Sequence, residues 1–364
     1  MSRSDDPALQ TLVERVRHAQ AHRTPLCIQG GGSKRFYGEA PAGEPLDVRA
    51  LAGISSYEPT ELVVTARCGT PLAELEAALA GKGQCLPFEP PRFAPGGTVG
   101  GMVAAGLSGP SRAAVGAVRD YVLGATLLNG RAEVLRFGGQ VMKNVAGYDV
   151  SRLLAGSLGT LGVILEVSLK VLPVAPATAT LRFSMDEAQA IRRLNEWGGR
   201  PLPLNASAWW DGTLVLRLRG ALAAVNAAID TLGGELIEPA HAAPFWEGLR
   251  HHDDEFFAKA TAAVDGGARL WRLSLPPTTP PLGLPGELLM EWGGAQRWLC
   301  SAAPAALVRE AAARAGGHAT LFRGDKSAGV FAPLSAPLER IHRALKQSFD
   351  PAGVFNPGRL YPNL

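Results

Sequence analysis

Three glycine-rich stretches hold the residues of this chain with the clearest chemical use: QGGGSKRFYG at 29–38, PGGTVGGMVAAGLSG at 95–109 and AGSLGTLGVI at 155–164. Five glycines fall between positions 96 and 106, inside a run that otherwise reads as an apolar helix. Glycine within a helix costs roughly 1 kcal/mol relative to alanine, so the clustering needs a reason other than helix stability. Without Cβ atoms, successive main-chain N–H groups can point into one concavity, and an adjoining helix N-terminus adds donors. That arrangement suits phosphate oxygens. Ser33 and Thr98 add hydroxyl donors, and Lys34 and Arg35 add positive charge.

The spacings separate nucleotide folds. Gly32-Ser33-Lys34 lacks the four-residue spacer and the Lys-Ser/Thr order of a P-loop. A Rossmann fingerprint fails as well, because no acidic residue about 20 positions on ends a second parallel strand. Other chemically capable residues read blandly. HHDDE at 251–255 has no i, i+4 histidine pair and reads as a surface charge patch. Cys27, Cys68, Cys85 and Cys300 form no CxxC pair, which excludes an iron–sulfur cluster or zinc ribbon built from this chain alone and predicts buried free thiols.

The elements that must position the glycines follow from periodicity. Leu9, Leu12, Val13 and Val16 recur at helical spacing after Pro7, and LCIQ then reads as a buried strand running into Gly30. LDV at 46–48 and LVVTA at 62–66 are further strands; Thr70-Pro71 opens a helix through Leu79. Asn129-Gly130 between two apolar runs predicts a hairpin, and GVILEVSLKVLP a long alternating strand. VLPVAPATAT reads as a linker. Beyond it, SMDE at 184–187 predicts a capping box before a helix to Trp197, hairpins centre on Asp211-Gly212 and Gly293-Gly294, and helices are expected at about 221–231 and 303–315. This second half reads as an antiparallel sheet covered on one face, with Trp209, Trp210, Trp292, Trp298 and Cys300 on its strands. A last helix from Ser335 carries Ile341, Leu345 and Phe349.

The chain has 364 residues, 46% hydrophobic and 19% charged, with a formal net charge of +3, the profile of a globular protein of two domains. No long Lys/Arg run suggests nucleic acid. The polar, then amphipathic start and the absence of any apolar run near 18 residues predict a cytoplasmic protein without a membrane span.

The series PLCIQGGGSKRFYG, APGGTVGGMVAAGLSGP, KNVAGYDVSRLLAGSLGTLGVILEVSLKVLP and FDPAGVFNPGRLYP resembles the FAD-binding proteins of the vanillyl-alcohol-oxidase and p-cresol-methylhydroxylase family, across essentially the whole chain. Within it, the pattern is similar to the smaller flavin-fold subunits of glycolate oxidases. The resemblance implies an α+β fold: an FAD domain at 1–175 with subdomains of about 1–55 and 56–175, a cap domain at 176–332, and a tail at 333–364 returning to the FAD domain. Carried over, Gly30, Gly31, Gly32 and Ser33, assisted by Lys34, form the first pyrophosphate loop. Pro95, Gly96, Gly97, Thr98, Gly100 and Gly101 form the second, and Gly106, Ser108 and Gly109 run beside the ribityl chain. Gly159, Gly162, Val163 and Ile164 hold the adenosine end, and Asn356 returns to the flavin ring. Ser33 stands where covalently flavinylated relatives often carry His, which implies dissociable FAD.

The resemblance further implies oxidation of glycolate to glyoxylate, together with a catalytic flavin D-type subunit and an iron–sulfur F-type subunit. Catalytic relatives carry a late Glu-His-Gly-x-Gly segment and a metal-binding histidine pair. Here the region reads AGGHATLFRGDKSAG: His318 is present without the Glu or the Gly-x-Gly and reads as a structural histidine, and Arg323, Asp325 and Lys326 read as a solvated turn. No catalytic residue and no metal ligand is assigned. Two alternatives stay open: an assembly module with structural FAD, and a self-sufficient flavin dehydrogenase for a small 2-hydroxy acid.

Overall fold

The computed structural model describes residues 6–139 and 149–364. Asp6 starts the first helix, Pro7–His22, by accepting the Ala8 amide at 2.9 Å, and Leu12, Val13, Val16 and Ala19 bury its inner face. The chain then enters β1 (Leu26–Gln29), which pairs in parallel with β2 (Glu44–Asp47) and, on its other side, with Phe355 of the C-terminal tail. The first glycine stretch leaves the end of β1.

A five-stranded antiparallel sheet follows, in the order β3 (Ile54–Glu58), β4 (Val63–Arg67), β8 (Val163–Lys170), β6 (Val122–Leu128), β7 (Val134–Gly138). Because β8 is central and covered on both sides, its burial is nearly continuous, where the sequence suggested alternation. The Asn129-Gly130 hairpin exists, but its loop is 129–133: the Asn129 carboxamide oxygen accepts the amides of Arg131 and Glu133. The short β5 (Gln84–Cys85) pairs with β9 (Leu172–Pro173). Helices Leu72–Ala80 and Val99–Ala105 pack on this core. A Cβ on Gly100 would lie 2.6 Å from the Cys68 Cβ, so this glycine lets the second helix lie on the end of β4.

Residues 177–323 build an eight-stranded antiparallel sheet ordered β13 (Glu235–Ile237), β10 (Ala177–Ser184), β12 (Thr213–Gly220), β11 (Leu204–Trp210), β15 (Glu287–Glu291), β16 (Gln296–Ser301), β14 (Arg269–Ser274), β17 (His318–Arg323). Much of the expected linker is β10. Its prolines fall before the strand, and within it Thr178 and Thr180 suit a ladder. The sheet is covered on both faces, not one. Helices Glu187–Gly198, Leu222–Leu232 and Ala305–Arg314 pack on one side; Pro239–His251, Glu255–Asp265 and residues of the first half, among them Tyr37 and Leu107, pack on the other. The sequence reading missed Pro239–His251, whose interior Pro244 breaks the helical signal, and Glu255–Asp265 after it. The capping box is Asp186 with Gln189, two residues on from the SMDE reading. In the final helix, Ala336–Phe349, Leu345 and Phe349 pack inward while Ile341 stays 55% exposed.

Candidate functional site

The first two glycine stretches meet. A Cβ on Gly31 would sit 1.5 Å from the Gly96 carbonyl oxygen, one on Gly30 2.4 Å from Thr98 Oγ1, and one on Gly97 3.0 Å from Ser33 Oγ. Side chains are absent because the facing loop occupies the space, with main chain at Gly31 and hydroxyl side chains at Gly30 and Gly97. Around them, amides that turns normally satisfy internally are left over: among the described residues, the N–H groups of residues 30–34 and 96–98 donate to no acceptor. Thr98 caps the following helix by accepting the Gly101 amide at 3.2 Å.

These loops wall a cleft with about 700 Å³ of unfilled space, partly open to solvent. Its lining includes Gly30, Gly31, Gly32, Ser33, Lys34, Thr98, Gly101 and Asn356 of the expected set, and adds Cys27, Arg35, Ala104, Leu158 and Arg359. Three cations face it and no carboxylate does. The Lys34 ammonium lies 5.6 Å from the Phe93 ring centre, with no carboxylate within ion-pair distance among the described residues. Burial pushes its pKa down to about 8, a neighbouring Glu76 charge opposing this and Arg250 adding to it. Unsatisfied amides and an uncompensated ammonium in one concavity are what a diphosphate neutralises, so the residues fit the bridge of a dinucleotide.

Other expected site residues lie elsewhere. Gly106 packs on Gly156, Gly109 on the Glu89 main chain, and Gly162 on the Leu128 carbonyl. Val163 and Ile164 are buried in β8. Ser108 Oγ accepts the Val118 amide at 3.2 Å. None of these, nor Pro95, Gly96, Gly97, Gly100 or Gly159, lines the cleft, although Gly96 and Gly97 shape it from behind. Asn356 lines it, but its carboxamide is consumed: Oδ1 accepts the Ile28 amide at 2.7 Å and Nδ2 donates to the Leu158 carbonyl at 2.6 Å. Lys143–Tyr148 of the third motif lie outside the described residues.

Two surface readings are corrected. His252 is no part of a charge patch: its ring stacks 3.7 Å from Phe257 among Phe93, Trp298 and Phe322, with Nδ1 buried and unpartnered. Asp254 caps a helix through the Phe257 amide, and burial pushes its carboxyl up to about 6. The Arg323–Lys326 turn is docked, not solvated. Arg323 lies 3.6 Å over the Phe36 ring, and Lys326 donates to main-chain carbonyls of the first stretch. His318 is exposed at the start of edge strand β17. Cys68 and Cys300 are buried, whereas Cys27 and Cys85 are only half-buried; no group of metal-capable side chains occurs among the described residues. Sequence reasoning missed Arg359, whose signal was an arginine directly after NPG in a tail that had to return to β1.

Residues 9–138 match the family model described as FAD binding domain. The chain is 50% identical over 356 residues, 98% of each chain, to the glycolate oxidase subunit GlcE of Escherichia coli (strain K12). It is 31% identical over 162 residues, 44% of this chain and 34% of the other, to the glycolate oxidase subunit GlcD of Bacillus subtilis (strain 168). Among solved structures, 4-ethylphenol oxidase from Gulosibacter chungangensis superposes with a TM-score of 0.67 at 15% identity, covering 98% of this chain and 88% of that one, a likeness of fold. No helix among the described residues is long and apolar enough to cross a membrane.

Proposed function

We propose a role for this chain from one premise: it belongs to the family of the glycolate oxidase subunit GlcE and carries an FAD-binding domain. The role is that of the FAD-binding subunit of a glycolate oxidase complex, supporting oxidation of glycolate to glyoxylate beside a D-type flavin subunit and an iron–sulfur subunit. Full-length identity of 50% carries this reading. The unsatisfied amides of residues 30–34 and 96–98 support the place of the cofactor.

In this reading the first glycine loop, with Thr98 of the second, receives the diphosphate through main-chain N–H groups, with the Ser33 hydroxyl and the Lys34 ammonium beside them. FAD, when bound, supplies a two-electron acceptor for the hydride of a hydroxy acid. That oxidation also needs a base for the hydroxyl proton. The ionisable groups lining the cleft are Cys27, Lys34, Arg35 and Arg359, with neither imidazole nor carboxylate among the described residues. We therefore assign substrate deprotonation to the D-type partner. Ser33 stands where a covalent flavin bond would need a histidine, and the same lining lacks His and Tyr, which supports dissociable FAD, with the Cys27 thiol the one side chain among the described lining residues able to form such a bond; acid precipitation that leaves flavin with the protein would contradict this.

The test is a visible spectrum followed by turnover. The purified chain reconstituted with FAD is expected to show bands near 370 and 450 nm, and to leave glycolate and a dye acceptor unreacted until the partner subunits are added. Bleaching of the flavin by glycolate with the chain alone would overturn the division of labour.

A further inference from the structure

Immediately after the first glycine loop, four consecutive main-chain carbonyls are held by two cations in alternation. Arg359 Nη2 donates to the carbonyls of Arg35 at 2.8 Å and Tyr37 at 2.5 Å; Lys326 Nζ donates to those of Phe36 at 2.8 Å and Gly38 at 2.5 Å. The cations come from distant parts of the chain, Lys326 from the loop after β17 and Arg359 from the tail. Neither forms an ion pair with a carboxylate among the described residues; the nearest acid, Glu39, spends its Oε1 on the Val330 amide. Two like charges that repel each other are thus kept together by direct bonds to peptide oxygens, with the Glu39 charge nearby favouring both.

The other end of the loop is held by the same tail. Asn356 accepts the Ile28 amide in β1 at 2.7 Å, and Arg359, three residues on, grips the far side. The loop between them, residues 30–34, is left with amides that no group among the described residues accepts. Its internal backbone bonds are two turn contacts, from the Arg35 amide to the Gly32 carbonyl at 2.9 Å and from the Tyr37 amide to the Lys34 carbonyl at 3.1 Å. With so few bonds of its own, its shape depends on how its two ends are held.

We propose that Lys326 and Arg359 are positioning residues that hold the first glycine loop in its diphosphate-receiving shape, so that docking of the eight-stranded half and of the tail is coupled to FAD occupancy. This rests on the reading of the cleft as the FAD site. Charge-assisted bonds to carbonyls are stronger than neutral ones, and here each cation engages two. Coupling is reciprocal, so FAD must in turn protect the tail and the Lys326 loop.

The test uses the full chain with Arg359→Met, Lys326→Met, Lys326→Arg and, as a control on the outward face of the last helix, Arg343→Met. FAD affinity is read by flavin fluorescence titration, and amide hydrogen exchange is followed in the apo-protein. Arg359→Met is expected to weaken FAD about thirtyfold and Lys326→Met about tenfold, with Lys326→Arg and Arg343→Met within threefold of the parent. In the apo-variants, the hydrogen-bonded amides of Arg35 and Tyr37 should exchange at least tenfold faster while those of the central strands stay unchanged. FAD affinities within twofold of the parent in both methionine variants, or faster exchange spread over the whole chain, would overturn the proposal. If the parent chain takes up no FAD, the reading of the cleft fails; the exchange rates of the Arg35 and Tyr37 amides then still decide whether the clamp holds the loop.

Discussion

The seam between the first half of the chain and the eight-stranded sheet contains buried cations in two kinds of company. On one side Glu89 accepts Arg217 Nη2 at 2.7 and 2.8 Å and Arg219 Nη1 at 3.2 Å, and Glu76 pairs with Arg250. Burial pushes the Glu89 carboxyl up, yet Arg217 and Arg219 hold it below the usual carboxylate range. On the other side Lys34, Lys326 and Arg359 have carbonyls or an aromatic face for company and, among the described residues, no carboxylate within ion-pair distance. Buried charge is costly unless paired, so the first side is complete as it stands and the second is complete only with an anion. The difference separates residues that join the halves from residues that wait for a ligand.

The largest way to break this comparison is at the loops themselves. Gly31→Ala would place a Cβ 1.5 Å from the Gly96 oxygen and is expected to lower FAD retention by more than about a hundredfold, read from the 450 nm band. Gly198→Ala, with no atom within 4 Å of its added Cβ, serves as control. A flavin content in Gly31→Ala equal to the parent's would mean that the loops do not meet as described.

Next come two substitutions that should give opposite outcomes. Glu89→Gln leaves the buried Arg217 guanidinium without its counter-charge and is expected to destabilise the fold by about 3–5 kcal/mol, seen as a drop in Tm, with FAD affinity per folded molecule within about threefold. Lys34→Met removes a half-buried ammonium that has no counter-charge. It should leave the apo-protein at least as stable, while FAD binds about tenfold more weakly, a loss near 1.4 kcal/mol. If Glu89→Gln weakened FAD and Lys34→Met lowered Tm, the two sides would have been assigned the wrong way round.

Much of the second-half sheet and most of the loop pair could be read from the chain because their signals are local. Asp211-Gly212 fixes a hairpin by turn chemistry alone, and a glycine run needs no partner to be noticed. What stayed hidden depends on partners far along the chain. Nothing near Lys326 discloses that it meets Phe36 and Gly38, and nothing near Arg359 that it lines the cleft. Close approach leaves the same mark whether the visitor is a dinucleotide or another stretch of main chain, and at Gly106, Gly109 and Gly162 main-chain atoms of Gly156, Glu89 and Leu128 stand where a Cβ would be. His252 looked exposed because its neighbours are charged; its burial follows from Phe93, Trp298 and Phe322, which come from three different parts of the fold.

The smallest effect is the one that separates the two sides by pH. In the unliganded chain the Lys34 ammonium has its pKa lowered to about 8, against 10.5 for an ordinary lysine. Between those values the unfolded chain binds more protons at this position than the folded one, so stability rises with pH there, the cost of the buried charge disappearing as the group becomes neutral. A diphosphate favours the charged form, so FAD binding takes up a proton and its affinity should fall by about tenfold from pH 7.5 to 9.5. Apo-protein stability and FAD affinity thus move in opposite directions over the same interval, and in Lys34→Met both of these contributions should be absent. Glu89 must be silent in that range: its carboxyl lies below the usual 4.5, so the stability it contributes is fully present above that value and is lost only as pH falls through its folded pKa. An alkaline fall in FAD affinity that persists unchanged in Lys34→Met would remove Lys34 from the set of residues that meet the anion.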